Sequence, residues 1–126
     1  MRLARLKTRR DFLRVADTRA RFATPGLILQ VRRHGADEES VLPAIRVGFT
    51  VSKKVGNAVV RNRVKRRLRA AADEIIARHS KPGRDYVLVG RRESEERAYT
   101  DLLADIETAL VRTKSARGEA AKDKSA

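Results

Sequence analysis

The chain predicts an α+β sandwich with its elements in the order αβββαβα, and three observations support this. Apolar residues recur at helical spacing in three segments, one near each end and one in the middle. Short strand-like runs separate them, each bounded by turn-forming residues. The order lacks the regular strand and helix alternation of a doubly wound sheet, and no internal repeat is visible.

Thr8 is placed to cap a first helix with Asp11 three residues on, and Phe12, Val15 and Ala16 then share one face, so helix is expected from about Arg9 to Asp17. A short strand near Ala20 to Thr24 completes the order, and Thr24-Pro25-Gly26 marks a turn. In Leu27 to Arg32, the residues Leu27, Leu29 and Val31 face one way and Ile28, Gln30 and Arg32 the other. The polar stretch Gly35 to Ser40 reads as the loop of a hairpin, with Asp37, Glu38 and Glu39 at its tip. Its second strand, Ala44 to Ser52, alternates Ile45, Val47, Phe49 and Val51 with Ala44, Arg46, Gly48 and Thr50. The first set is core. The second is small and polar, either merely solvated or open to a ligand.

Asn57 is a plausible N-cap for a long helix reaching about His79, where Lys81-Pro82-Gly83 stops it. Val60, Val64, Leu68, Ala71 and Ile75 form its buried stripe. Asp85 to Gly90 is a short apolar run typical of a central strand, and Tyr99, Leu102, Leu103, Ile106, Ala109 and Leu110 mark a closing helix with a mixed outer face carrying Asp101, Asp105 and Glu107. One domain over 1–112 is expected, with a disordered basic tail over 113–126, where Lys, Ala, Ser, Gly and Asp offer little to bury.

Charge points to function. Residues 53–69 hold eight basic side chains and no acidic one in seventeen positions, while keeping apolar residues at helical spacing. This stretch carries +8, residues 1–21 carry +6 and the whole chain carries +14, so everything else sums to zero. Arg63, Lys65, Arg66, Arg69 and Asn62 fall opposite the buried stripe, with Arg61 and Arg67 flanking it. Arg presents a planar fork to phosphate and Lys a mobile point charge, so a polyanion is the expected partner. No run is long enough to span a bilayer and no secretory signal precedes the first helix, so a cytoplasmic protein without membrane contact is expected. The absence of cysteine excludes disulfides and thiolate metal sites. There is no catalytic triad order, no Gly-rich phosphate loop and no metal-spaced histidine pair, and His34 and His79 read as surface residues, so no catalytic residue and no protein-held metal are expected. Phe12 reads either as core or as a platform for an unpaired base.

At Val51-Ser52-Lys53-Lys54-Val55-Gly56-Asn57-Ala58-Val59-Val60-Arg61-Asn62-Arg63-Val64-Lys65-Arg66 the sequence resembles the bacterial ribonuclease P protein subunit. Asp11-Phe12, Arg46-Val47-Gly48 and Asp85-Tyr86-Val87 support the resemblance, which spans about residues 3–112. It implies a four-stranded mixed sheet with a left-handed βαβ crossover, like the fourth domain of elongation factor G. It also implies that a large RNA partner removes the 5′ leader of precursor tRNA with Mg2+ that the RNA itself mainly holds, while the protein assists. Lys54, Arg61, Asn62, Arg63, Lys65, Arg66 and Arg69 would dock on the catalytic RNA, Asn62 by a nucleotide or near a metal ion. Phe12, Gln30, Arg46, Thr50, Ser52 and Lys53 would line the path of the single-stranded leader. No obligate protein partner is implied. Ala16 and Gln30 stand where many members carry aromatics, which shifts the expected leader affinity from stacking toward phosphate contacts. A structural RNA-binding protein would use the same basic face, and a DNA-binding module would need a helix rather than a strand before Lys53.

Overall fold

The computed structural model of the chain describes residues 3–117. The elements run β1 (Ala4–Arg5), α1 (Arg9–Asp17), β2 (Arg21–Ala23), β3 (Leu27–Arg33), β4 (Ile45–Thr50), α2 (Ala58–His79), β5 (Arg84–Gly90) and α3 (Tyr99–Arg112), with a 3₁₀ turn at Arg92–Ser94. The αβββαβα order is present, preceded by one extra strand. The sheet therefore has five strands where four were expected, in the order β1-β4-β5-β3-β2. β1 is two residues long and pairs in parallel with Arg46 and Val47 of β4.

The expected hairpin between β3 and β4 does not form. β5 lies between them, antiparallel to β3 and parallel to β4. The reason lies in the strand itself: Tyr86, Val87 and Leu88 are buried whichever face they take, so this segment is most stable in the sheet centre. The long connection at residues 34–44 lets the chain pass over that position. β4, α2 and β5 then form a crossover between adjacent parallel strands.

The two sheet faces are covered unequally. Leu27, Leu29, Val31, Ile45, Val47, Tyr86 and Leu88 pack against α2 and α3 in the main core. From α2 come Val64, Leu68, Ala71, Ala72, Ile75 and Ile76, so the buried stripe is wider than the one read from spacing, and Val60 sits half-buried at its edge. At Gly90 a Cβ would stand 2.9 Å from Val64 Cγ1 and 3.0 Å from Val51 Cγ2, so only glycine lets α2 settle this close to β5. On the other face α1 contributes Val15, which joins Leu6 and Val87 in a small second core with Phe12 and Val89 at its margin. Towards the end of that face Ile28, Gln30 and Val89 are only half-buried and Thr50 is exposed.

The fold also extends past 112. Ser115 and Ala116 are buried, and Ala116 bridges to Ser80. Lys81 N donates to Ser115 O at 2.8 Å and Arg117 N to His79 O at 2.7 Å, which ties 115–117 to the end of α2. Composition hid this because the bonds are backbone bonds, indifferent to side-chain type. Residues 118–126, the rest of the expected tail, lie outside the described residues.

Candidate nucleic-acid interface

The basic face starts at a turn. Val55 N donates to Ser52 O at 3.1 Å, closing Ser52 to Val55, and Asn57 then caps α2 with Oδ1 accepting from Val60 N at 3.0 Å. No acidic residue occupies the first turn of α2. Cations at a helix N-terminus oppose the macrodipole, so this helix gives up stability to gather positive charge there.

Within that face the arginines have different duties. Asn62 and Arg66 are exposed, as is Lys54 in the preceding turn, and Lys65 is half-buried. Arg63 is exposed and pairs with Glu95. Arg69 lies 6.0 Å from the centroid of the Phe49 ring, which Arg5 also approaches at 5.3 Å. Arg61 donates from Nη1 to Gly56 O at 2.9 Å, bracing the turn. Arg67 donates to the carbonyls of Ser94, Glu95 and Arg97, and so is spent on holding the 3₁₀ segment against α2.

The second candidate surface is the partly covered strip of the sheet beside α1. Register places Gly48, Val87 and Gln30 side by side in one row, and Thr50, Val89 and Ile28 in the next. Phe12 lies across Gly48: a Cβ there would stand 2.5 Å from Phe12 Cε1 and 2.6 Å from Cζ. Phe12 is thus half-buried, packed on the sheet at the margin of the second core. Phe12, Gln30 and Thr50 come together along this strip, and Ser52 and Lys53 continue it as exposed residues beyond the end of β4.

Arg46 does not join them. Its guanidinium is turned into the protein, donating from Nε to Asp85 Oδ1 at 2.8 Å and from Nη2 to Asp85 Oδ2 at 2.7 Å, with Asp11 Oδ2 at 3.5 Å. Its side chain is 11% exposed. Asp85 holds its charge despite burial, which by itself favours the neutral acid, because Arg46 and His34 bond to the carboxylate and keep its pKa low. His34 is therefore no surface residue: Nε2 stands 2.7 Å from Asp85 Oδ1 and the side chain is 2% exposed. Glu38 likewise leaves the expected loop tip, accepting from Gly35 N and Arg32 Nη2, each at 2.7 Å. The backbone bond first, then Arg32, lowers its pKa to about 2. Asp105 is buried too, accepting from Arg97 Nε at 2.6 Å and Gly26 N at 3.1 Å.

A family model described as Ribonuclease P matches residues 1–114. The chain belongs to the ribonuclease P protein family. The ribonuclease P protein component of Paramagnetospirillum magneticum is 54% identical over 112 residues, covering 88% of this chain and 83% of the relative. That of Caulobacter vibrioides is 40% identical over 111 residues, covering 88% and 71%. Among solved structures, the Staphylococcus aureus RNase P protein superposes with a TM-score of 0.71 at 24% identity, over 90% of this chain and 97% of that one. The Thermotoga maritima RNase P protein gives 0.66 at 25% identity, over 82% and 92%. The mixed sheet with three helices is thus the ribonuclease P protein fold.

Spacing alone missed the partners of this ribonuclease P protein's sheet face. Ile28 and Val89 lie half-buried in the same row as Thr50. Asp85 carried a readable signal, since an acid opening an otherwise apolar central strand must find cations inside the fold. Among the described residues no helix is long and apolar enough to cross a membrane, and no three His, Cys, Asp or Glu side chains gather as metal ligands.

Proposed function

We propose that this chain is the protein subunit of ribonuclease P, docking on the catalytic RNA through the first half of α2 and holding the 5′ leader of precursor tRNA along the open sheet strip. The observation that carries the reading is the run of cations from Lys53 to Arg69, set without any acid on a helix of a ribonuclease P family member. Lys54, Asn62, Arg63, Lys65, Arg66 and Arg69 supply phosphate contacts, and Arg61 braces the turn that presents them. Phe12 offers one ring face to an unpaired base while Thr50, Gln30, Ser52 and Lys53 meet the backbone.

In this division of labour the RNA carries the hydrolysis, in which water replaces the leader at the phosphorus and leaves a 5′-phosphate on the tRNA. Mg2+ on the RNA supplies charge neutralisation for that step. The protein's residues bind and orient. No metal ligand is assigned to the chain, because the acids that come together, Asp11, Glu38 and Asp85, are already paired with arginine.

The test is cleavage of a precursor tRNA by bacterial ribonuclease P RNA at low Mg2+, with and without the protein. Stimulation at the mature 5′ end that depends on leader length is expected. Tight RNA binding with no stimulation would place the protein among structural RNA-binding proteins instead.

A further inference from the structure

We infer that Asp85 and Arg46 are positioning residues for the leader, forming the hub of an ion-pair network that holds α1 on the sheet and so sets where Phe12 sits. This rests on the leader reading above and gives Arg46, which the resemblance placed along the leader path, another role: it acts through α1 and contacts no phosphate.

The network begins in the sheet, where Arg46, Asp85 and Arg32 lie side by side on β4, β5 and β3. The two oxygens of Asp85, 1% exposed, serve four nitrogens. Oδ1 meets Arg46 Nε and His34 Nε2, and Oδ2 meets Arg46 Nη2 and Arg32 Nη1. Two arms then reach α1. Arg46 Nη1 extends to Asp11, and Arg32 passes through Glu38 to Arg14 Nη2, 3.2 Å from Glu38 Oε2.

Asp11 and Arg14 are three residues apart and therefore share a side of α1, with Phe12 and Val15 on the adjoining side that meets Gly48, Leu6 and Val87. Anchoring Asp11 sets the rotation of the helix, and the residue next to it is the candidate stacking platform. The apolar contact under α1 is small, with only Leu6, Val15 and Val87 buried. Thr18 Oγ1 donates to Val31 O at 2.7 Å and pins the C-terminal end of α1 to β3, so the ionic ties at Asp11 and Arg14 set the rotation of the helix about that point. Charge pairing argues against a phosphate at Arg46: Arg14, Arg32 and Arg46 are matched by Asp11, Glu38 and Asp85, so no guanidinium of the network is left without a carboxylate.

The experiment uses the reconstituted holoenzyme and compares affinity for precursor tRNA carrying a leader with affinity for the same tRNA lacking one. Wild type must favour the leader; if it does not, the leader reading itself falls, and this inference with it. Given that preference, Asp85→Asn is expected to cut it by at least about fivefold, the lower end of one base stack. Protein affinity for the catalytic RNA and its salt slope should stay unchanged, a split that general unfolding would not produce.

The opposite hypothesis predicts the opposite sign. Were Arg46 a phosphate ligand, Asp85→Asn would release it and strengthen leader binding, and Arg46→Ala would flatten the salt dependence of leader binding. Either result, or an unchanged preference, overturns the proposal. Should Asp85→Asn fail to fold, Glu38→Gln, which loosens only the second arm, decides: a smaller loss of leader preference is expected, and none refutes it.

Discussion

Gly48→Ala tests how Phe12 is seated. The added Cβ would lie 2.5 Å from Phe12 Cε1, 2.6 Å from Cζ and 3.1 Å from Leu6 Cδ1. Carbon atoms pack at about 3.5–4.0 Å, so the ring must retreat by about 1 Å or swing off the sheet. The strand backbone at Gly48 is paired with Val87 of β5, its neighbour Val47 is paired with β1, and it gives way less readily than an aromatic side chain at the rim. The expected cost is about 1–3 kcal/mol, the range for overpacking. Urea unfolding of wild type, Gly48→Ala, Phe12→Ala and the double variant isolates the clash as a coupling energy. In the Phe12→Ala background the methyl has no ring to strike and meets only Leu6 Cδ1 at 3.1 Å, a side-chain end that can shift into the vacated space, so Gly48→Ala should there cost much less than in wild type. Equal costs in both backgrounds would refute the seating of Phe12 on Gly48. The same substitution should weaken leader binding in the holoenzyme while leaving protein affinity for the RNA alone.

Arg66 and Arg67, adjacent in sequence, should separate cleanly. Arg66→Ala leaves stability unchanged and flattens the log-log salt dependence of RNA binding by about 0.7–0.9, one phosphate's worth, whereas Arg67→Ala strands three carbonyls, costs about 1–3 kcal/mol in urea unfolding and leaves the slope unaltered. Asp105→Ala removes the acceptor shared by Arg97 and Gly26 N–H, and a loss of about 1.5–3 kcal/mol is expected by thermal or urea unfolding. Glu38 titrates in the folded state at about 2, below its ordinary 4.5, so its contribution is present above pH 4.5 and disappears as pH falls toward 2. The stability gap between wild type and Glu38→Gln should therefore be full at neutral pH and close toward pH 2; a gap that persists at pH 2 would contradict the Gly35 and Arg32 contacts as its source.

The sequence by itself determined the local elements and the electrostatic character of the protein. Thr8 and Asn57 cap α1 and α2 where their spacing placed them, because capping is a bond between a side chain and a backbone three residues away. The basic face of α2 was legible for the same reason: helical phase is local, and charge is additive along it. Strand partnership was not legible, since alternation tells a strand which face to bury but says nothing about its neighbour, and β5 took the place between β3 and β4. The duties of individual charged residues were also tertiary decisions. Arg46 reads like Arg66 in sequence, yet one faces solvent and the other faces Asp85, which arrives from thirty-nine residues away. His34, Arg67 and Asp105 follow the same logic. An ionic side chain goes wherever the fold sets a partner within about 3 Å, and that distance is a property of the packed chain alone.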